Sequence, residues 1–166
     1  IGEIFVRFNE FSNENIIRKL EALGGEVWLA PFEEWMYYLN YMALDKAIMK
    51  KNYSDILNIV LTRFLQKRIE KKQSKHVEGF LKTLNEPSTK EILKNASSYL
   101  DRSFEGEAIL GMGKAVDLAR KGVSGIINTI PFTCMPGMIV TALMKSFSED
   151  YPDVACLHMV YDGNEQ

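Results

Sequence analysis

The stretch that most constrains this chain is Ile126-Ile127-Asn128-Thr129-Ile130-Pro131-Phe132-Thr133-Cys134-Met135-Pro136-Gly137. Its first half is apolar and β-branched, which suits a strand covered on both faces, and Pro131 ends the ladder because it has no N–H. Pro136 is tolerated in a first helical turn, and Ile139, Val140, Leu143, Met144 and Phe147 follow at helical spacing. Cys134 therefore falls between a strand end and a helix N-terminus. Unpaired N–H groups and the macrodipole there favour an anion, so a thiolate would be stabilised as a nucleophile or a metal ligand. Cysteine is also a small residue often buried, and a thiol merely packed under the helix is the other reading of Cys134. Cys156 lies inside Val154-Ala155-Cys156-Leu157-His158-Met159-Val160, a second strand, where a core role is expected.

The formal net charge of −2 over 166 residues gives no broad attraction to nucleic acid or to an anionic membrane surface. No apolar run reaches the ~20 residues of a spanning helix. Two cysteines in strand contexts do not make a disulfide framework, and no secretory signal opens the chain, so a soluble protein of the reducing cytoplasm is expected. The chain starts at Ile1 and stops soon after a strand, where an α/β fold would continue. The expectation is a single α/β domain, 1–166, cut from a larger protein.

Glu3-Ile4-Phe5-Val6-Arg7-Phe8 reads as a first strand, followed by a helix carrying Ile16, Ile17, Leu20 and Leu23 and closed by Gly24-Gly25. Glu26-Val27-Trp28-Leu29-Ala30 reads as a second strand stopped by Pro31, which completes a right-handed βαβ unit. A helical insertion of about 33–104 then interrupts the alternation. Within it Trp35, Leu39, Met42 and Met49 form one apolar stripe, Leu57, Leu61, Phe64, Leu65 and Ile69 another, and Ile92, Leu93, Ala96, Tyr99 and Leu100 a third, while Trp35-Met36-Tyr37-Tyr38 reads as core packing, with the lining of a ligand cavity as the alternative. The basic run Lys67 to Lys75 contains Glu70 and no interleaved aromatic residue, which fits a solvated helix face. His76 has no Cys or His at metal-ligand spacing. Alternation resumes with a helix from Glu107 through Ile109, Met112, Val116 and Ala119 to the Gly122 stop, which feeds the strand ending near Cys134. Gly111-Met112-Gly113 falls inside that helix and not between strand and helix, so it reads as close packing rather than a nucleotide loop. The fold expected from these pieces is a flavodoxin-like three-layer sandwich around a four-stranded parallel sheet of order 2-1-3-4.

Gly2-Glu3-Ile4-Phe5-Val6-Arg7, Gly24-Gly25-Glu26-Val27-Trp28-Leu29-Ala30-Pro31, Glu105-Gly106-Glu107-Ala108 and Pro131-Phe132-Thr133-Cys134-Met135-Pro136-Gly137 together resemble the 2-hydroxyacyl-CoA dehydratase activase-related proteins, in the region similar to the dehydratase D-component. The resemblance implies a lobe of an iron–sulfur protein that helps hold a 4Fe-4S or related cluster for ATP-driven, low-potential electron transfer. It implies Cys134 as a cluster ligand, with Asn9, Phe11, Glu105, Glu107 and Tyr161 walling the same strand-end edge. The partners it implies are other domains of the same chain, namely ATP-binding activase domains and a second cluster lobe. A homodimer is a further candidate, while nucleic acid and membrane are not expected as partners. No cluster is expected on this chain alone, since one accessible thiolate cannot replace four.

Three other functions compete. A docking module without chemistry, held by its helical lobe, is the main alternative. A cysteine-nucleophile phosphatase or reductase would need a phosphate cradle with basic residues, which Met135-Pro136-Gly137 does not offer. An FMN-binding flavodoxin would need a hydroxyl-rich loop after the first strand, which is also missing.

Overall fold

A computed structural model describes residues 1–77 and 86–163, with the side chains of 73–77 also left out. His76 and the end of the basic run are thus outside the described side chains. The chain divides into two compact units, one formed by 1–32 with 90–166 and the other by 33–89.

The first unit is organised around a helix. α6 (Glu107–Arg120) buries residues on nearly all its sides, from Ala108 through Leu118, where the sequence pattern indicated a single apolar face. Its two glycines allow this. A Cβ on Gly113 would lie 2.2 Å from the Ile92 carbonyl oxygen of α5 (Thr89–Ala96), and one on Gly111 would lie 3.2 Å from Val140 Cγ2 of α7 (Met135–Asp150). Lys114, 1% exposed, is paired with Asp117 at 3.5 Å. Asp117 also takes Lys121 at 2.9 Å, whose ammonium lies 4.8 Å from the Trp28 ring centre.

β1 (Gly125–Pro131) and β2 (Ala155–Tyr161) pair in parallel, Gly125 opposite Ala155 and Pro131 opposite Tyr161, with α7 as the crossover. Ile126, Ile130, Val140, Met144 and Phe147 fill the space beneath that crossover and are almost fully buried. On the other edge of β1, the Thr129 N–H donates to the Ile1 carbonyl at 3.1 Å and the Glu3 N–H donates to the Thr129 carbonyl at 2.9 Å. This contact is an isolated parallel bridge, Gly2 to Thr129.

The sheet is therefore two-stranded among the described residues, and the four-stranded sheet of order 2-1-3-4 and the flavodoxin-like sandwich do not form. The first expected strand fails at Glu3. Its carboxylate accepts from the Phe5 and Val6 N–H groups at 3.0 and 2.8 Å, which starts a helix, α1 (Ile4–Phe8). Fully buried Asn13 closes the other end by donating to the Val6 and Arg7 carbonyls at 2.8 and 3.2 Å. Without a strand beyond Glu3 to pair with, Glu26–Ala30 has no ladder either and runs as coil. α2 (Ile16–Ala22) separates the two segments and ends at Gly24, φ +86°.

The second unit is an antiparallel hairpin of α3 (Glu33–Met49) and α4 (Tyr53–Val77). Asn40 donates to Gln66 at 2.6 Å and the Tyr37 hydroxyl donates to Glu70, while Trp35 and Tyr38 stack 5.5 Å apart. The stripe Leu57, Leu61, Phe64, Leu65 and Ile69, read from sequence as one apolar helical face, is exposed. Half-buried Ile56, Ile59, Arg63 and Gln66 occupy the inner positions instead.

The two tightest helical glycines should rank by what they touch. Ala in a helix interior gains about 1 kcal/mol over Gly, and overpacking costs about 1–3 kcal/mol. On Gly137 the new methyl would meet the Ile130 side chain at 2.3 Å, whereas on Gly113 it would meet backbone. Urea denaturation is expected to order the proteins parent, Gly137→Ala, Gly113→Ala from most to least stable. A Gly113→Ala variant as stable as the parent would refute this packing.

Candidate functional site

The carboxyl end of β1 is built by a tight turn. Pro131 accepts from the Cys134 N–H at 3.1 Å, and the Phe132 N–H reaches across to the Tyr161 carbonyl at 2.8 Å. Thr133 closes the turn at φ +66°, a left-handed conformation unfavourable for a β-branched residue. Cys134 is the N-cap of α7, its carbonyl accepting from the Met138 N–H at 2.9 Å. The thiol is half-buried, free of any disulfide, and makes no capping hydrogen bond. The helix begins one residue earlier than the proline suggested, at Met135, so Pro136 is its second residue.

What seats this helix end is Asn128, a polar residue in the apolar run and the signal that sequence reading passed over. It is fully buried on the face of β1 under α7 and donates to Thr141 Oγ1 at 3.2 Å and to the Gly137 carbonyl at 3.4 Å. Thr141 Oγ1 itself donates to the Gly137 carbonyl at 3.0 Å. Asn128 Oδ1 has no protein partner, and neither has Nδ1 of His158, the residue opposite it in register. Burial holds the His158 imidazole below its usual pKa.

A second group gathers at the start of α6. Glu107 is half-buried in the first turn, and burial chiefly, with the nearby Glu3 carboxylate, pushes its pKa up while Arg7 pulls it down. Arg7 is buried and donates to the Gly2 carbonyl at 3.1 Å. Glu3 and Arg7 were missed because their segment reads as strand, which hides their role at a helix start.

The remaining expected wall residues are placed as follows. Tyr161 ends β2 opposite Pro131; it is buried, its hydroxyl has no protein partner, and burial and the Glu14 charge raise its pKa. Asn9 caps the end of α1, and its Oδ1 accepts from the Ser12 N–H at 2.9 Å. The Phe11 ring is 92% exposed, and Glu105 is exposed ahead of α6. Tyr161 and Cys134 thus share the β1 strand end, and Glu107 belongs to the Glu3–Arg7 group. Cys156, expected in the core, is only half-buried on the outer strand, with Sγ 3.6 Å from the Val154 carbonyl.

Among the described residues no group of three or more His, Cys, Asp or Glu is placed to hold a metal ion. Nor is any described helix long and apolar enough to cross a membrane. Comparison with family models, with curated proteins and with solved structures finds no match to this chain.

The raised Glu107 pKa fixes a pH dependence. The folded protein keeps this proton to higher pH than the unfolded chain, so its contribution is full below the ordinary glutamate value, about 4.3, and is lost as pH rises through the raised value. Glu107→Gln should therefore match the parent's melting temperature at the acid end of that window and exceed it at neutral pH. An equal difference at both ends would show that Glu107 is not held protonated by its surroundings.

Proposed function

We propose that this chain is a lobe of a cytoplasmic iron–sulfur protein of the 2-hydroxyacyl-CoA dehydratase and activase type, in which Cys134 supplies one thiolate to a shared 4Fe-4S or related cluster. The observation that carries the reading is the place of Cys134: at the end of β1, at the N-cap of a 16-residue helix, half-buried and without a disulfide or a capping bond. Amide hydrogen bonds to cluster sulfurs tune potential in such proteins. The described residues do not fit a whole cluster, since they offer one thiolate at this edge where four donors are usual. The remaining ligands, and the ATP-binding domains that would drive the electron, belong to other parts of the assembly on this reading.

The residues around Cys134 have roles that follow from the chain itself. Asn128 and Gly137 fix the first turn of α7, and Tyr161 covers the strand end beside it. The second reading is a docking module without chemistry, favoured by the exposed apolar side of α4.

Cys134→Ser separates the two. In the full native polypeptide, purified without oxygen, the substitution should remove most of the iron, acid-labile sulfide and visible absorption. The melting temperature of the 166-residue chain should move by no more than ~2 °C, as for a substitution outside the core. Cys156→Ser should leave the iron in place. If Cys134→Ser keeps its iron and sulfide, Cys134 is not a ligand and the docking reading replaces this one.

A further inference from the structure

β2 pairs with β1 on one side only. That inner side is fixed by the ladder: the Ala155 N–H donates to the Ser124 carbonyl at 3.1 Å, and the Tyr161 carbonyl accepts from the Phe132 N–H at 2.8 Å. Backbone groups of successive strand residues point to opposite sides, so those of Cys156 and His158 point away from β1. Among the described residues no strand pairs there. Natural sheet edges are shielded by lysines, prolines, bulges or inward-pointing charges, and Ala155–Tyr161 has none of these devices. A bare apolar edge on a sheet this small is a template for a further strand.

The strand's own sequence identifies the occupant. Ala155 and Leu157, the latter 49% exposed, are its most open residues, and burial increases toward Tyr161. The free length is therefore centred near Leu157. An antiparallel copy turned about a twofold at Leu157 sets Leu157 against Leu157, Ala155 against Met159 and Cys156 against His158. Cys156 and His158 then exchange both N–H···O bonds through the backbone groups that point outward. Their side chains share the α7 face of the sheet, since they are in register with Ile126 and Asn128. Burial favours the neutral imidazole, which can accept from a thiol. Small Ala155 meets long Met159, and Asp153 falls opposite Tyr161, so no like charges are opposed. A twofold at His158 would instead oppose Cys156 to Val160, and one at Cys156 would leave His158 opposite Val154. The matched polar pair thus selects both a second copy and its register.

We propose that the outer edge of β2 is a self-association site, at which two copies of this chain pair through antiparallel β2 strands about a twofold at Leu157. Backbone hydrogen bonds supply the adhesion, and the Cys156–His158 pairs set the register. Edge pairing buries little area, so the dimer is weak and depends on protein concentration. This surface is independent of the proposed role of Cys134.

Analytical ultracentrifugation of the 166-residue chain should show its mass doubling as concentration rises. Leu157→Lys sets two ammonium groups against each other at the twofold, and this variant should stay monomeric at every concentration while keeping the parent's circular dichroism. Disulfide trapping reads the register, in a chain that carries Cys134→Ser and Cys156→Ser, the latter keeping a hydroxyl donor for His158. Adding Leu157→Cys should give covalent dimer on oxidation with diamide, because the two Cα atoms at this non-hydrogen-bonded position are about 4.5 Å apart. Adding Met159→Cys instead should leave the chain monomeric on the same gel, because its own counterpart lies four residues out of register, about 13 Å away. A parent that stays monomeric at every concentration, a dimer that Leu157→Lys leaves intact, or equal trapping at positions 157 and 159 overturns the proposal.

Discussion

The first unit depends on a helix that has almost no solvent side. Burying α6 nearly all round requires its neighbours to come close on several sides at once, and Gly111 and Gly113 provide that approach at α7 and α5. The same burial encloses a charged pair. Lys114 and Asp117 lie within one turn, and Asp117 is shared with Lys121, which in turn covers Trp28. That chain of contacts holds the coil at 26–30 on the unit without a strand ladder. A buried cation left without its carboxylate is costly, so Asp117 does more than cap a surface.

The candidate site inherits its geometry from this arrangement. α6 feeds β1, and the turn at Pro131–Cys134 converts β1 into α7 with one left-handed residue. Because the first turn of α7 is bound from below by Asn128 and blocked from sliding by Ile130 against Gly137, Cys134 has little freedom in position. Glu3, Arg7 and Glu107 show the opposite character: two carboxylates and one guanidinium gather in one place, where burial and the Glu3 charge raise the Glu107 pKa.

How much of this could be read from sequence differs by element, for physical reasons. β1, α7, β2 and α6 announce themselves through long periodic runs bounded by Pro and Gly, and the position of Cys134 follows from its neighbours alone. The segment Glu3–Phe8 has strand-like composition, but its state is decided by side-chain to backbone bonds from Glu3 and from Asn13, which a local pattern does not reveal. Glu26–Ala30 shows that an extended sequence needs a partner strand to become a strand. In α4 the periodicity located the apolar stripe correctly and not its direction, because the polar seam with α3 is made by specific pairs such as Asn40 and Gln66. At the site, Asn128 was visible as a lone amide in an apolar run, whereas the meeting of Glu3 with Glu107 required the fold.

The backbone contacts at two glycines carry a consequence for recognising distant kin. Gly2 lies against the Thr129 carbonyl and Gly113 against the Ile92 carbonyl, each closer than any side chain permits. Chains that share this unit can exchange most of their apolar residues for others of similar volume, but at these points every substitution adds atoms where a peptide oxygen already stands. The imprint of common descent should therefore persist longest as a sparse pattern of fixed glycines at fixed intervals, with the intervening residues drifting beyond ordinary similarity.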